Sequence, residues 1–470
     1  MKTIRIISFI IAIGLTVCLC ACASYQKHKP SSSDSNNSSA VSSVVSEPTA
    51  SVPSHNHGFD PYENMPAEIK GVTVRFATWE DHYTKINYVG EKPMANIYDD
   101  IGIKAEYVDI PEAGYVDSII RMVASGDAPD VFKSGSKNPF PLTLDIAAPI
   151  NRVSSINLNE PIWDQSMIET ATIDGDVYLL NTIGSPWSSC VVLYYNLPIF
   201  EENGIKSPAE YYEDGTWTWE SFKKCIKDVK AVNPEIQGAM LKRDHYLNSK
   251  GFGLLQFNHN SSTFSSGVTN KLFAAHNEYK KMQSDGLLDG ESLVSVINGE
   301  CAMATSTLEV MKFAPIKASE YHDDIGVTYL PSDTEGKNSL VISDHTMFGI
   351  VEGAKNPDAA GYFIRYWLDS QNYDLTKHIY NIKEGNFYYE NTNHVSGDKF
   401  FNFDDAGAKL VNMHSKEDFW SVYNDMHTSG SPATNLTNLL TEVKEAANKK
   451  INDRRYTTAT KYPDDVIVEQ

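Results

Sequence analysis

The chain is short of cysteine, short of positive charge and short of long apolar runs. It has six cysteines in 470 residues, and Cys18, Cys20 and Cys22 crowd the N-terminus. The others, Cys190, Cys225 and Cys301, are odd in number and far apart. That excludes a disulfide framework and a zinc signature. Each reads as a small buried hydrophobe, with a single Cys190–Cys301 bridge still compatible with the sequence. Lys and Arg number 40 against 61 Asp and Glu, a net charge of −21. A partner with a phosphate backbone needs a basic surface, so nucleic acid is excluded. Gly-x-Ser-x-Gly, His-Glu-x-x-His and a P-loop Gly-Lys-Ser/Thr are all missing. The 13 histidines are scattered without ligand spacing in the body, so neither a metal nor a cofactor is expected. His55 and His57 read as solvated linker residues. A glycosidase needs two carboxylates across one bond, which the neighbours Glu80 and Asp81 do not guarantee. A secreted glycan hydrolase relying on Asp81 is the catalytic alternative to a chain that is otherwise read as no enzyme.

The one apolar run, Ile6 to Leu19 after Lys2 and Arg5, has the form of a signal peptide and is too short for a membrane span. It ends in Leu19-Cys20-Ala21-Cys22, which resembles the lipobox of bacterial lipoproteins. That resemblance makes residues 1–21 the signal peptide and Cys22 the lipidated first mature residue; ordinary secretion or an uncleaved anchor is the alternative. Residues 22–66 are rich in Ser, Asn and Pro. They cannot bury enough apolar surface to offset ordering, and read as a flexible tether.

The length predicts two or three domains. Val72, Val74 and Phe76 alternate with polar or small neighbours as a first strand. It runs into Trp79-Glu80-Asp81 at a strand's carboxyl end, where ligands sit in open α/β sheets. A Trp beside two acids suits the apolar face and hydroxyls of a sugar. Ile103, Ala105 and Tyr107 make a second strand. A helix over 113–125 carries the stripe Ile119, Met122 and Val123, and Gly126 can end it. A third strand begins at Asp130 and empties into Lys133-Ser134-Gly135-Ser136, donor-rich, with Ser134 the candidate. Asp174-Gly175 predicts a tight hairpin. Trp187, in a Gly/Pro/Ser loop, reads as a binding residue. Val191–Tyr195 is a strand broken at Asn196, and Thr218 caps a helix. Trp219 reads as packing, and the facing of Tyr194, cleft or core, is open. Phe363, Tyr366 and Trp367 form the core stripe of a helix capped by Asn356 with Pro357 at its first position.

These blocks together resemble family 1 extracellular solute-binding proteins, the maltose-binding-protein-like receptors of ABC importers. The carriers are GDAPDV at 126–131, DGDVYLL at 174–180, LYYNLPIFEENGI at 193–205 and TWTWESF at 216–222. Asn298 to Met303 resembles the family's GxxAM stretch, Ile325 to Pro331 its following strand, and Asn356 to Trp367 its NPEAA-type helix. The resemblance spans about residues 70–370.

It implies an α/β, two-lobe, periplasmic-binding-protein-like fold of type II, each lobe a mostly parallel sheet flanked by helices, with the ligand cleft between. Crossings are expected near 190–196, 300–304 and 345–350. Residues 67–192 plus 303–346 would make the first lobe, 197–299 plus 350–456 the second, and 457–470 an acidic tail. The implied function is capture of a carbohydrate, an oligosaccharide by expectation, by hinge closure, with delivery to a membrane permease. The protein would be a monomer anchored by lipid to the extracytoplasmic face of a bacterium lacking an outer membrane. A non-transport surface glycan receptor of the same fold is the other binding alternative. Asp344 and His345 at the third crossing and Trp420 join Trp79, Glu80, Asp81, Ser134 and Trp187 as ligand candidates. One departure stands out. Many sugar binders of the family carry a Trp after GxxAM, whereas Ala304 to Val310 reads ATSTLEV, which weakens any inference to maltodextrin.

Overall fold

The structure, a computed structural model, describes Tyr62 and residues 65–79, 96–135, 138–182, 191–267, 269–307, 324–336, 341–343, 346–379, 399–401 and 434–461. The chain divides into units Met1–Asp60 and Pro61–Gln470, and every described residue lies in the second.

Strand β1 (Thr73–Thr78) pairs in parallel with β2 (Lys104–Asp109) and β3 (Val131–Ser134). Helix α1 (Ile97–Ile101) precedes β2, and α2 (Tyr115–Ala124) links β2 to β3. The chain continues through β4 (Ala147–Ala148), α3 (Gln165–Thr170) and the hairpin β5 (Thr172–Ile173) and β6 (Asp176–Val177). The hairpin turn is the expected Asp-Gly pair, with φ of 52° at Asp174 and 90° at Gly175, the left-handed values such a turn demands.

A second sheet starts at β7 (Val191–Asn196). Helices α4 (Leu197–Glu201), α5 (Pro208–Glu213) and α6 (Trp219–Val232) lead to β8 (Gln237–Met240). After α7 (Arg243–Ser249) comes a hairpin of β9 (Leu255–Asn258) and β10 (Thr263–Ser266). Helices α8 (Asn270–Ser284) and α9 (Leu293–Ile297) then reach β11 (Cys301–Thr307) and β12 (Ile325–Thr328). The remaining elements are β13 (Val341–Ser343), β14 (Met347–Val351), α10 (Pro357–Ile379), β15 (Lys399–Phe401) and α11 (Thr434–Lys461).

The first sheet has the order β2-β1-β3-β14-β4, with β14 antiparallel to its neighbours. Its faces carry separate cores. Ala77, Phe132 and Met347 pack on one side with Tyr115 and Ile119 of α2 and with Leu440, Val443, Ala447 and Ile451 of α11. Val74, Phe76, Val131 and Ile350 pack on the other with Ile97, Ile101, Phe363 and Trp367. The second sheet has the order β12-β7-β11-β8. Leu193 and Tyr195 face α6, α7 and α8, while Val192 and Tyr194 face α9. Tyr194 is therefore a core residue, and its hydroxyl donates to Thr307 O at 3.1 Å.

Strand pairing corrects the expected lobe division. The resemblance places residues 303–346 in the first lobe, yet β11 pairs with both β7 and β8, and β12 pairs with β7. It places residues 350–456 in the second, yet β14 pairs with β3, and α10 and α11 pack on the first sheet. The chain does not leave the second sheet near 300–304, because β11 runs unbroken through Cys301–Thr307. Such strands are buried on both faces, so no alternation marks which sheet they join. The body also begins before Ala67, for Tyr62 and Met65 pack on the first-lobe core. The supposed tail from 457 continues α11 as far as Lys461, with Thr458 bonded to Tyr178 Oη at 2.8 Å. Cys301 is buried and free, which removes the Cys190–Cys301 bridge.

Polar side chains fix the joints. Asp130 is 2 % exposed. Its carboxylate accepts the backbone amides of Arg75 at 2.9 Å and of Lys355 and Asn356 at 3.1 Å each. Asn196 accepts Ile199 N at 3.1 Å, capping α4, and donates to Val296 O at 2.9 Å. Thr218 and Ser221 form a reciprocal capping box at the start of α6. Trp219 is packed against Phe222 and Tyr246. Two glycines sit beneath rings of their cross-strand partners. A Cβ on Gly349 would lie 2.3 Å from the Phe132 ring, and one on Gly326 would lie 2.1 Å from that of Tyr195.

Asp130→Ala leaves these amides without their acceptor, and a loss of at least ~2 kcal/mol is expected in urea unfolding. A second expectation concerns acid. Burial pulls the Glu352 carboxyl up, but hydrogen bonds and charge from Arg454 and Lys461 outweigh it and hold the group below its ordinary 4.5. A depressed carboxyl stabilises the fold above its unfolded pKa and loses that contribution as pH falls through the folded value. Glu352→Gln should therefore be less stable at neutral pH and lose stability less steeply below about pH 4.5 than the parent, in denaturation followed across pH.

Candidate functional site

The carboxyl ends of β1 and β3 and the amino end of β14 form one edge of the first sheet, where Ser134 is the partner of Met347. In the second sheet, the amino end of β7 lies beside the carboxyl ends of β11 and β12, at the same edge as Met240 of β8. The first edge holds Thr182 and the second begins at Val191; later in the chain β13 (Val341–Ser343) precedes Thr346 and Met347 at the first edge. A clasp ties outgoing and returning segments. Asn181 Nδ2 donates to Thr346 O, Asn181 Oδ1 accepts Thr182 N at 2.8 Å, and Leu180 and Phe348 exchange backbone hydrogen bonds. The sheet edges joined by the crossings are where a ligand between lobes would be met.

At the first edge Tyr115 sets the geometry. Its buried hydroxyl donates to Ala77 O at 2.6 Å and accepts Lys133 N at 3.1 Å. Burial pushes this phenol well above its ordinary range, so it stays a protonated donor. Trp79 stands edge-on to the Tyr115 ring at 5.4 Å, and the Lys133 ammonium lies 4.9 Å from the Trp79 ring centre. Trp79 is half-buried. This is a braced indole with a cation on it, able to cover the apolar face of a ligand.

Ser134 is placed differently from expectation. It is fully buried, and its hydroxyl donates to Asn138 O at 3.0 Å, closing the turn after β3. Its neighbour Lys133 is the side chain that reaches Trp79. Glu80, Asp81, Trp187, Asp344, His345, Trp420 and Cys22 lie outside the described residues.

At the second edge stands a group that sequence reading missed. His245, at the start of α7, has Nδ1 2.9 Å from Thr305 Oγ1 on β11. The same Thr305 oxygen lies 3.3 Å from Lys242 N and 3.4 Å from Met240 O. Burial, helped by the charge of Lys242, pushes the imidazole down to about 3. His245 is thus a neutral ring, and its second nitrogen offers a single donor or acceptor without charge. Arg243 is tied to Asp244 at 2.9 Å. The available signal was a basic run, Lys242-Arg243-Asp244-His245, directly after a short strand, and a hydroxyl in the same ATSTLEV stretch noted for its missing Trp. Among the described residues no group of three or more His, Cys, Asp and Glu is placed to hold a metal ion. Nor is any helix among them long and apolar enough to cross a membrane.

Two α/β sheets, each cored on both faces and joined by crossings at facing-end strands, define a two-lobe binding fold. The model of the bacterial extracellular solute-binding protein family matches residues 87–374. The chain belongs to that family, whose members are extracellular binding proteins rather than enzymes. Solved structures share the fold at low identity. A sugar transporter of Rhizobium etli in an open conformation is 16 % identical, with TM-score 0.55, over 80 % of this chain and 99 % of its own. The extracellular solute-binding protein of Staphylococcus aureus in complex with maltose is 15 % identical, with TM-score 0.54, over 83 % and 99 %. The sugar-binding protein MalE of Xanthomonas citri is 15 % identical, with TM-score 0.53, over 82 % and 98 %. No curated protein sequence matches the chain.

The neutrality of His245 is directly measurable. Its ring proton resonances should stay flat from pH 5 to 8 in an NMR titration, whereas a midpoint near the ordinary 6.5 would contradict the environment described.

Proposed function

We propose that the protein captures a carbohydrate outside the cytoplasmic membrane and hands it to the permease of an ABC importer. The observation that carries this reading is the pairing of chemistries at the crossed strand edges. A braced indole, Trp79, stands at one, and a neutral His245–Thr305 pair stands at the other. A sugar has apolar C–H faces for the first and uncharged hydroxyls for the second. Unpaired hydroxyls in a closed cleft are costly, so neutral donors and acceptors are favoured over bare charge. The family match and the sugar-binding names of the structural neighbours support the same reading.

The finer parts of the proposal follow from the sequence. Residues 1–21 are removed as a signal peptide, Cys22 takes the lipid, and a Ser-rich tether holds a monomeric body at the outer face of a bacterium lacking an outer membrane. Glu80, Asp81, Trp187, Asp344, His345 and Trp420 complete the ligand shell with Trp79. The lobes close on the ligand by rotation about the crossings. The bound ligand leaves unchanged, without turnover.

The test is a thermal-shift screen of the lipid-free protein against a broad oligosaccharide panel. A ligand at 100 times its Kd stabilises by about 2.7 kcal/mol, and a rise of a few degrees is expected for at least one glycan. Trp79→Ala should abolish most of that rise, measured against the variant's own unliganded melting temperature, which falls because the indole also packs on Tyr115. A panel with no shift defeats the reading, as does hydrolysis of the bound glycan. Binding without any effect on uptake when the gene is deleted would point to a surface receptor.

A further inference from the structure

We infer that the β9–β10 hairpin is a strap by which the second lobe grips the first, coupling the lobes and limiting their separation. The inference concerns the ligand-free protein and stands apart from what the protein binds. The hairpin issues from the second lobe. Tyr246 and Leu247 of α7 before it, and Ala275 and Tyr279 of α8 after it, belong to the second-lobe core. Its own Leu255 and Phe264, with Leu254 at the base, belong to the first-lobe core beside Phe140, Leu142 and Ala147. Phe140 stands edge-on to Phe257 at 5.7 Å and lies 6.3 Å from Phe264.

Helix α11 closes over the hairpin from the other side. Asn448 accepts Phe264 N at 2.7 Å and donates to Phe264 O at 3.0 Å, satisfying both main-chain groups as a neighbouring strand would. Arg455 donates to Ser261 O at 3.0 Å and also grips Asp174. His259 Nδ1 lies 3.2 Å from Glu169 O. Helix α11 is itself pinned to the first lobe, by Arg454 on Glu352 at 2.8 Å and by Lys450 on Asp145. The hairpin is therefore built into the lobe opposite to the one it leaves.

Its base is narrow and glycine-flanked. Gly267 N donates to Leu254 O at 2.8 Å, and a Cβ on Gly267 would lie 2.0 Å from Gly253 O. Gly251 has φ of 75°. A gripped hairpin that leaves the second lobe through a narrow, hydrogen-bonded base transmits tension between the lobes. Wider opening must drag Leu255, Phe257 and Phe264 from their apolar seat, which buried-area loss opposes.

The experiment compares the ligand-free protein with Asn448→Ala and with the surface change Arg455→Gln. Hydrogen exchange reads the grip, and small-angle scattering reads the lobe separation. In Asn448→Ala, protection of residues 255–266 should fall about tenfold or more, and the radius of gyration should rise. Arg455→Gln should move both readouts the same way by less. The strap is overturned if protection falls while the radius of gyration holds, since the hairpin would then be packed without restraining anything. It is equally overturned if neither readout moves. Should Asn448→Ala fail to fold, Arg455→Gln decides alone, on the same two readouts.

Discussion

A buried carboxylate at the back of the first sheet holds the arrangement together. Asp130 gives its oxygens to main-chain amides of β1 and of the turn before α10, while its own backbone pairs with Arg75 and Val351. A buried charge is tolerable only when its lone pairs are filled, and here amide donors fill them. The consequence reaches the far end of the strands. With β1, β3 and β14 locked in register at one end, Trp79, Lys133 and Met347 are delivered together at the other. Asn196 performs the matching task in the second sheet, turning β7 into α4 and anchoring α9.

Local chemistry was legible in the sequence where one residue settles one conformation. Asp174-Gly175 announced its turn, Thr218 its cap, and Phe363 with Trp367 their buried stripe. Asp130 to Phe132 was legible as a strand, and Trp219 as packing. Sheet membership was not. Cys301 to Ala304 and Val191 to Tyr195 are apolar on both faces, and such runs carry no sign of their neighbours. The β9–β10 hairpin was invisible for a related reason. Leu255, Phe257 and Phe264 look like any short alternating pair, and their docking on Phe140 is a contact across the whole fold.

The candidate site divides along the same line. Trp79 was legible as a strand-end residue because Val72, Val74 and Phe76 mark the strand that it follows, and its contact with a ligand belongs to the proposal. Ser134 was misjudged because a hydroxyl in a donor-rich loop reads the same whether it faces solvent or closes its own turn. His245 went unnoticed because its character is conferred by Thr305 and by burial, and neither is adjacent in sequence. The result is an uncharged polar group in a strongly acidic protein, at an edge where surrounding sequence is crowded with ions.

The paired glycines carry a historical consequence. Phe132 lies over Gly349 between two interior strands of the first sheet, and Tyr195 lies over Gly326 on the edge strand β12 of the second. Neither glycine can gain a side chain while the ring above it stays, and neither ring can shrink without leaving a void above bare backbone. Each pair is therefore a two-step lock on sequence drift. The ring must yield first and the glycine second, through an intermediate less stable than either end. Lineages descending from this chain would be expected to keep both halves of a pair or to have exchanged both.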